Sequence, residues 1–225
     1  LILALETATP ICSVALFNPK TNEIQEKRAD GRGAHSTKLL VFIHELLAEM
    51  GANITDLAAI IVSIGPGSFT GLRIASSAIK GLAFGRNIPI LTYNTTYAIA
   101  SAAVSLGLSG NIHGVIDARR THLYHQKLHV EDGIITQCTQ PKIYAIEELV
   151  KQHVNLGDHL FGTGLARLNS TTNHSGFIAN DDMREISAKQ LLTLVKADSK
   201  EMGLIAYIAE LGINANELKI LYSLD

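Results

Sequence analysis

The run Ser63-Ile64-Gly65-Pro66-Gly67-Ser68-Phe69-Thr70-Gly71-Leu72-Arg73 restricts the fold more than any other stretch of the chain. Before it, Leu57 to Ile64 is largely apolar and rich in β-branched residues, which predicts a buried strand. After it, Leu72 to Phe84 has helical composition and spacing and is stopped by Gly85. The glycines and proline between them must therefore turn a strand into a helix within a few residues. Gly65 and Gly67 permit positive φ or a close approach of another group, and Pro66 stiffens the bend. Ser68 or Thr70 can cap the helix, leaving N–H groups pointing out of the turn. Such a turn can hold a phosphate, an oxyanion or a partner's side chain, or it can be a plain tight connection in an α/β domain. It is not a P-loop, because no Lys-Ser/Thr pair follows the last glycine. Nor is it a nucleophile elbow, because no glycine stands two residues before Ser68.

At 225 residues the chain can bury one large core or two small ones, and the α/β pattern favours two lobes. Nineteen basic residues against twenty-one acidic ones give a net charge of −2, too little positive field to hold nucleic acid unaided. Cys12 and Cys138 match neither a metal spacing nor a disulfide framework, as expected in a reducing cytosol. No stretch reaches about 18 uninterrupted apolar residues, and no cationic segment precedes a signal-like one. The sequence opens at Leu1 already inside a strand pattern, as if a residue or two had been lost. These features describe a cytoplasmic globular protein with no membrane partner.

In order, Ile2 to Leu5, Ile11 to Phe17 and Ile24 to Ala29 read as strands of an opening meander, and Asp30 to Gly33 as a charged loop. A helix is predicted from Ser36 to Met50, a strand from Ile88 to Tyr93 and a helix from Thr95 to Leu106. The glycine-rich stretch Gly107 to Asn111 marks the expected boundary between a first lobe, 1–107, and a second, 108–225. The second opens with strands at Ile112 to Asp117, Leu123 to Val130 and Ile134 to Gln137. A helix at Ala145 to His153, a strand at His159 to Phe161 and a turn at Gly162-Thr163-Gly164 come next. Helices over Ser187 to Lys196 and Ser199 to Leu211 close the chain, the last packing back on the first lobe. The repeated order of elements suggests a duplicated fold.

Two helices carry more apolar or small residues than one core needs. From Ser36 to Met50, Leu39, Phe42, Ile43, Leu46, Leu47 and Met50 form a complete core-facing stripe. Leu40, Val41, His44 and Ala48 form a second strip beside it, expected either in a helix buried on two sides or at a contact with another chain. From Leu72 to Phe84, Ala75, Ala78 and Leu82 continue a row from Gly71, while Ser77, Gly81 and Gly85 repeat every four residues. Rows of small residues let a second helix come close. Gly81 costs about 1 kcal/mol against Ala in mid-helix, which calls for a packing reason. The expected partner interface is thus Leu40, Val41, His44, Ala48, Ala75, Ala78 and Leu82.

Three motifs resemble, in order and spacing, those of the bacterial TsaB (YeaZ) family. They are Leu5-Glu6-Thr7-Ala8-Thr9, the Gly65 to Arg73 run and Asp117-Ala118-Arg119-Arg120. The resemblance implies a two-lobed actin-like ATPase (ribonuclease H-like) fold on the glycoprotease-like branch, each lobe a mixed sheet with flanking helices. It further implies a non-catalytic scaffold that binds and activates the related subunit TsaD and works with TsaE and TsaC. The product is threonylcarbamoyl placed on the tRNA adenosine next to the anticodon, so tRNA is met only through the complex. The two first-lobe helices would bind TsaD, or a second copy of the chain. Candidate nucleotide or turn residues are Glu6, Thr7, Gly65, Gly67, Ser68, Thr70, Gly71 and Arg73, with Asp117 and Arg119. No cofactor is expected on the chain alone, with ATP or ADP only at an interface of the complex.

Departures from active members of the superfamily agree with that role. The residues after Glu6 are Thr7, Ala8 and Thr9, whose Cβ atoms crowd the approach that phosphates need. The family usually has Asp where Glu6 stands. Thr95 and Ile99 occupy the positions of TsaD's metal-binding histidines, and no histidine lies between His44 and His113, so no metal site is expected. His125 and His129 are four apart in a predicted strand, about 13 Å, too far to share a metal. A small-molecule kinase would need an intact phosphate loop and catalytic acid, and a glycoprotease-like peptidase would need a metal or activated nucleophile.

Overall fold

The computed structural model describes residues 1–31, 33–171, 176–180, 184–200 and 202–221, and Arg32 of the predicted charged loop lies outside them. The chain divides into two compact units, Leu1–Tyr93 with Ser187–Ile220, and Asn94–Ile186 with Leu221–Asp225. The glycine-rich stretch expected at the boundary falls inside the second unit, because the helix before it packs on second-unit strands.

The first unit has a five-stranded sheet of order β3-β2-β1-β4-β5, made from β1 (Ile2–Glu6), β2 (Cys12–Asn18), β3 (Glu23–Ala29), β4 (Ala59–Ser63) and β5 (Ile90–Tyr93). β1, β2 and β3 form the expected antiparallel meander, and β1, β4 and β5 run parallel. Parallel central strands are covered on both faces, which explains the unbroken burial of β1 and β4. On one face Leu3, Leu5, Val14, Leu16, Ile60 and Val62 join a core with α1 (Ala34–Glu49) and α2 (Phe69–Leu82). Alternate residues Ile2, Ala4, Ala15 and Ile61 are equally buried, and α6 (Ala188–Asp198) packs across β1, β2 and β4.

Helix α6 is fixed at both ends. Ser187 accepts from Gln190 N while Gln190 accepts from Ser187 N, closing a capping box. Two further first-turn amides, of Ala188 and Lys189, donate to Ser13 Oγ (2.9 Å) and Glu26 Oε1 (2.8 Å) on β2 and β3. At the other end Tyr93 Oη donates to Asp198 at 2.8 Å. The predicted helix from Ser199 begins only at Leu204, as α7 (Leu204–Leu211), because Gly203 (φ 84°) breaks the run.

The second unit comprises α3 (Thr95–Ala102), β6 (Gly110–Asp117), β7 (His122–Glu131), β8 (Ile134–Cys138), β9 (Lys142–Ala145), α4 (Ile146–Gln152), β10 (His159–Phe161), α5 (Leu165–Thr171) and β11 (Ile178–Ala179). Its sheet runs β11-β10-β6-β7-β8, with β9 also paired to β7. Read from β8, that is three antiparallel strands followed by parallel β10 and β11, the same order as in the first unit. The suspected duplication is therefore real at the level of topology.

Helix α3 lies close on β6 and β7 because Gly114 has no side chain. A Cβ at Gly114 would run into the carbonyl oxygen of Thr96. Gly114→Ala is therefore expected to destabilise the protein by about 1–3 kcal/mol through overpacking, read as a lowered Tm in thermal unfolding.

Candidate functional site

The strand-to-helix turn and the loop between β1 and β2 form one structure in the first unit. Ser68 is the N-cap of α2 and accepts from Gly71 N at 3.1 Å, so the expected cap is Ser68 and not Thr70, which is exposed. Ser68 N donates to Ala8 O at 2.7 Å, and Thr7 Oγ1 donates to Gly71 O at 3.0 Å. A Cβ at Gly67 would collide with Ala8 O and one at Gly71 with Thr7 O. These glycines therefore admit the chain's own loop backbone rather than a ligand. Gly65 supplies the left-handed conformation (φ 103°) of the bend.

The acid at the end of β1 turns inward. Glu6 is 0% exposed, and its Oε1 accepts from Ala8 N at 2.7 Å and Thr9 N at 3.0 Å, while Ser63 Oγ on β4 donates to Oε2. Burial pushes its carboxyl up to about 7, against the opposing pull of the Ser63, Thr9 and Ala8 donors. His35, near the start of α1, places Nε2 3.0 Å from Thr9 O and 3.2 Å from Ile11 O. That nitrogen must therefore carry a proton and donate to these carbonyls. The loop is held by both helices that flank the sheet on this face.

Asp117 and Arg119 belong to the second unit. Asp117 Oδ1 accepts from Arg119 N at 2.7 Å and from Arg167 Nε at 2.8 Å. Thr163 Oγ1 accepts from Asp117 N, and Gly162 and Gly164 pack against Val115. Arg73 lies in the first unit with its guanidinium 3.8 Å from the centroid of the Phe69 ring. The two carboxylates proposed for nucleotide, Glu6 and Asp117, are already engaged within the chain, Glu6 by loop amides and Ser63 and Asp117 by Arg119 N and Arg167. Among the described residues, no group of three or more His, Cys, Asp or Glu is placed to hold a metal.

The apolar strip is a different matter. Leu40 is 61% and Val41 44% exposed, and His44 and Ala48 are exposed with them. Of the two explanations for the strip, burial on two sides within the unit is thereby ruled out. Between α1 and α2 runs an open groove of about 490 Å³, lined by Leu39, Leu40, Ile74, Ala78, Gly81 and Leu82, with His35, Ser36, Arg73 and Ser77. Ala78 and Leu82 are half-buried at its wall. Ala75, expected in the contact, is instead 1% exposed. With Gly71, Leu72 and Ile79 it lies on the side of α2 that faces the sheet. The row of small residues straddles the edge of the core, and only its later members reach the groove.

Solved structures and curated relatives agree with this architecture. YeaZ from Pseudomonas aeruginosa superposes with a TM-score of 0.78 at 25% identity, covering 98% of each chain. The tRNA threonylcarbamoyladenosine biosynthesis protein TsaB of Haemophilus influenzae is 29% identical over 98% of this chain and 92% of its own length. Its counterpart in Escherichia coli is 28% identical over 80% and 78%. The family model for TsaD, tRNA N6-adenosine threonylcarbamoyltransferase, matches residues 29–184. The chain belongs to this family, in its TsaB/YeaZ branch. Its two mixed sheets with flanking helices are the actin-like ATPase architecture that the TsaB/YeaZ resemblance implied. Thr95 and Ile99 are both buried in α3. No helix among the described residues is long and apolar enough to cross a membrane.

One polar cluster escaped the sequence reading, in the TsaB/YeaZ resemblance as well as in the spacing. His125 and His129, as strand geometry requires, serve different partners, and His129 faces Asn111 and Glu131. His125 Nε2 lies 2.8 Å from His113 Nδ1, and His113 Nε2 lies 3.0 Å from Asp158 Oδ2. Asp158 can only accept, so His113 Nε2 carries a proton, leaving its Nδ1 to accept from His125 Nε2. The signal was in the hairpin: its tight turn pairs Asp117 with Leu123, which makes His113 and His125 diagonal neighbours.

Burial, with the charges of His113, His153 and Lys127 beside it, pushes His125 down to about 3. Burial also lowers His113, against the pull of Asp158. For Asp158, burial raises the carboxyl, but the Asn155 amide, Asn111 and His113 outweigh it and hold it low. A histidine depressed in the fold stabilises above its unfolded pKa and loses that contribution as pH falls below it. The wild type should therefore lose stability below pH 6.5 at up to about 1.4 kcal/mol per pH unit per proton. His125→Gln should flatten this slope between about pH 6.5 and 4.5, above most carboxylate titration, in denaturant unfolding followed across pH.

Proposed function

We propose that this chain is the non-catalytic scaffold subunit that binds and activates TsaD for transfer of threonylcarbamoyl to the tRNA adenosine next to the anticodon. The observation that carries the proposal is the open apolar groove between α1 and α2. Leu40 lines it, Val41 stands exposed beside Leu40 on α1, and Phe69 (46%) and Phe84 (86%) stand exposed at the two ends of α2. Gly81 lies in the last turn of α2 and not at mid-helix as the sequence predicted, and a Cβ there would meet nothing within 4 Å, so the position is open toward the groove. Small residues at that position let another helix come close. The contact residues are Leu40, Val41, His44, Ala48, Ala78 and Leu82, with TsaD as the partner in the working complex and a second copy when the chain is alone.

The turn at Gly65 to Gly71 supports α2 from beneath. Nucleotide, as ATP or ADP, belongs to an interface of the complex and not to this chain alone, and TsaE joins the assembled pair. The tRNA is met through the complex, in the cytoplasm, consistent with a chain of net charge −2. Family membership and the engagement of Glu6 and Asp117 within the chain both support an accessory role without turnover.

Light scattering on a size-exclusion column, for the chain alone and mixed with TsaD, tests the proposal directly. A homodimer that converts to a one-to-one complex is expected, and indifference to TsaD would overturn it. Val41→Asp and Ala78→Arg are expected to abolish both associations, with Val41→Asp leaving Tm within a degree or two of wild type, as surface changes do. Gly81→Ala should stabilise the isolated chain by up to about 1 kcal/mol while weakening assembly. ATP hydrolysis by the isolated chain should stay at background, and steady turnover would favour the kinase or ATPase reading instead.

A further inference from the structure

The donors around Glu6 have the form of a binding site. Two successive backbone N–H groups, of Ala8 and Thr9, converge on one oxygen at 2.7 and 3.0 Å, and the Ser63 hydroxyl donates to the other. Successive amides turned toward one point make a concavity that holds oxoanions elsewhere in proteins. Among the described residues no Lys or Arg forms an ion pair with Glu6, so when it is ionised its charge is met by N–H and O–H dipoles alone. The point of convergence is sealed, since Glu6 is 0% exposed. The loop that carries the amides cannot lift away without leaving Gly67 and Gly71, against which Ala8 O and Thr7 O are seated.

We infer that the Glu6 side chain is a built-in occupant of an oxyanion cradle, filling from within the chain a place that would otherwise take a small carboxylate. The cradle's class of ligand is a planar oxoanion about the size of acetate, because that is what the Glu6 carboxylate and its last methylene present to the donors. Ser63 on β4 and the Ala8 and Thr9 amides are brought together by this group and by nothing else among their hydrogen-bond partners. The loop between β1 and β2 then needs no external anion to hold its shape, and none can enter while Glu6 is in place. The inference concerns this loop and not the groove, so it stands or falls separately from the partner reading.

Chemical rescue tests it. Thermal unfolding of Glu6→Ala is followed at pH 7.5 in sodium acetate, sodium formate and sodium chloride at equal ionic strength. The Tm of the variant is expected to rise saturably with acetate or formate, by about 2 °C or more at saturation, with no such rise in chloride. The wild type, whose cradle is filled, should not respond. An equal response to acetate and chloride, or a wild-type response as large as the variant's, would overturn the inference. Should Glu6→Ala be recovered unfolded, the yield of folded protein on refolding in acetate against chloride makes the same comparison. In the wild type, amide hydrogens of Ala8 and Thr9 are expected to exchange as slowly as those of β1. Exchange of both at the rate of an open loop would also overturn it.

Discussion

A single buried carboxylate joins three segments of the first unit. Glu6 ends β1, its Oε1 gathers the amides of the following loop, and its Oε2 takes the hydroxyl that ends β4. A buried acid without a cation is tolerable only when every acceptor position has a donor, so the loop has little freedom to adopt another shape. The helices then take their positions from the loop. The start of α2 is tied to it through Ser68 N and Gly71 O, and the start of α1 through His35. The groove between α1 and α2 thus opens between helices tied to this loop at their starts and seated on the core by Leu39, Ile43, Leu46, Ala75 and Ile79.

The contrast between polar and apolar groups tells what kind of protein this is. The acids Glu6 and Asp117 are engaged within the chain, while Leu40 and Val41 on α1 and Phe69 on α2 are left in water. Exposed apolar surface contributes nothing to the isolated fold, and its burial is worth about 25 cal/mol per Å² once a partner covers it. An ordinary specific interface buries about 800 Å² on each side. Engaged acids beside an open apolar helix surface fit a subunit whose work is to hold another.

Much of the fold was legible because the relevant signals are local. The core stripe of α1 and the meander of β1 to β3 follow from periodicity and turn chemistry, which depend on neighbours in sequence, whereas α2 runs Phe69–Leu82 and ends before the predicted stop at Gly85. The exposure of Leu40 and Val41 was legible as a surplus, since a helix needs only one stripe. Ala75 was not. It lies on the same row as Ala78, and only the depth at which α2 sits on the sheet separates a buried position from a half-buried one. The triad of Asp158, His113 and His125 depends on strand register and on a loop 45 residues from His113, information that no window of sequence contains. The short strand β9 follows Pro141 and is half-exposed, so it carries neither an apolar run nor a clear alternation.

The repeated topology extends to the ends of the central strands. In each unit the central strand ends in an acid, Glu6 on β1 and Asp117 on β6, and each acid accepts the amide two residues further on, of Ala8 and Arg119. The same local device therefore closes the first turn of both halves. Beyond that shared bond the two turns diverge. In the first unit the acid is sealed and its charge is met only by dipoles. In the second, Asp117 remains half-exposed and takes Arg167 as a partner, while Arg119 and Arg120 both adopt positive φ (69° and 52°) in the turn. Water and an arginine can share the charge of Asp117, so that turn tolerates an ordinary acid. The sealed turn cannot, and must supply every donor from the chain itself. Both strand ends are nonetheless seated on the glycines of a strand-to-helix turn, the first on Gly67 and Gly71 and the second on Gly162 and Gly164, so what separates the two turns is how the charge of the acid is met.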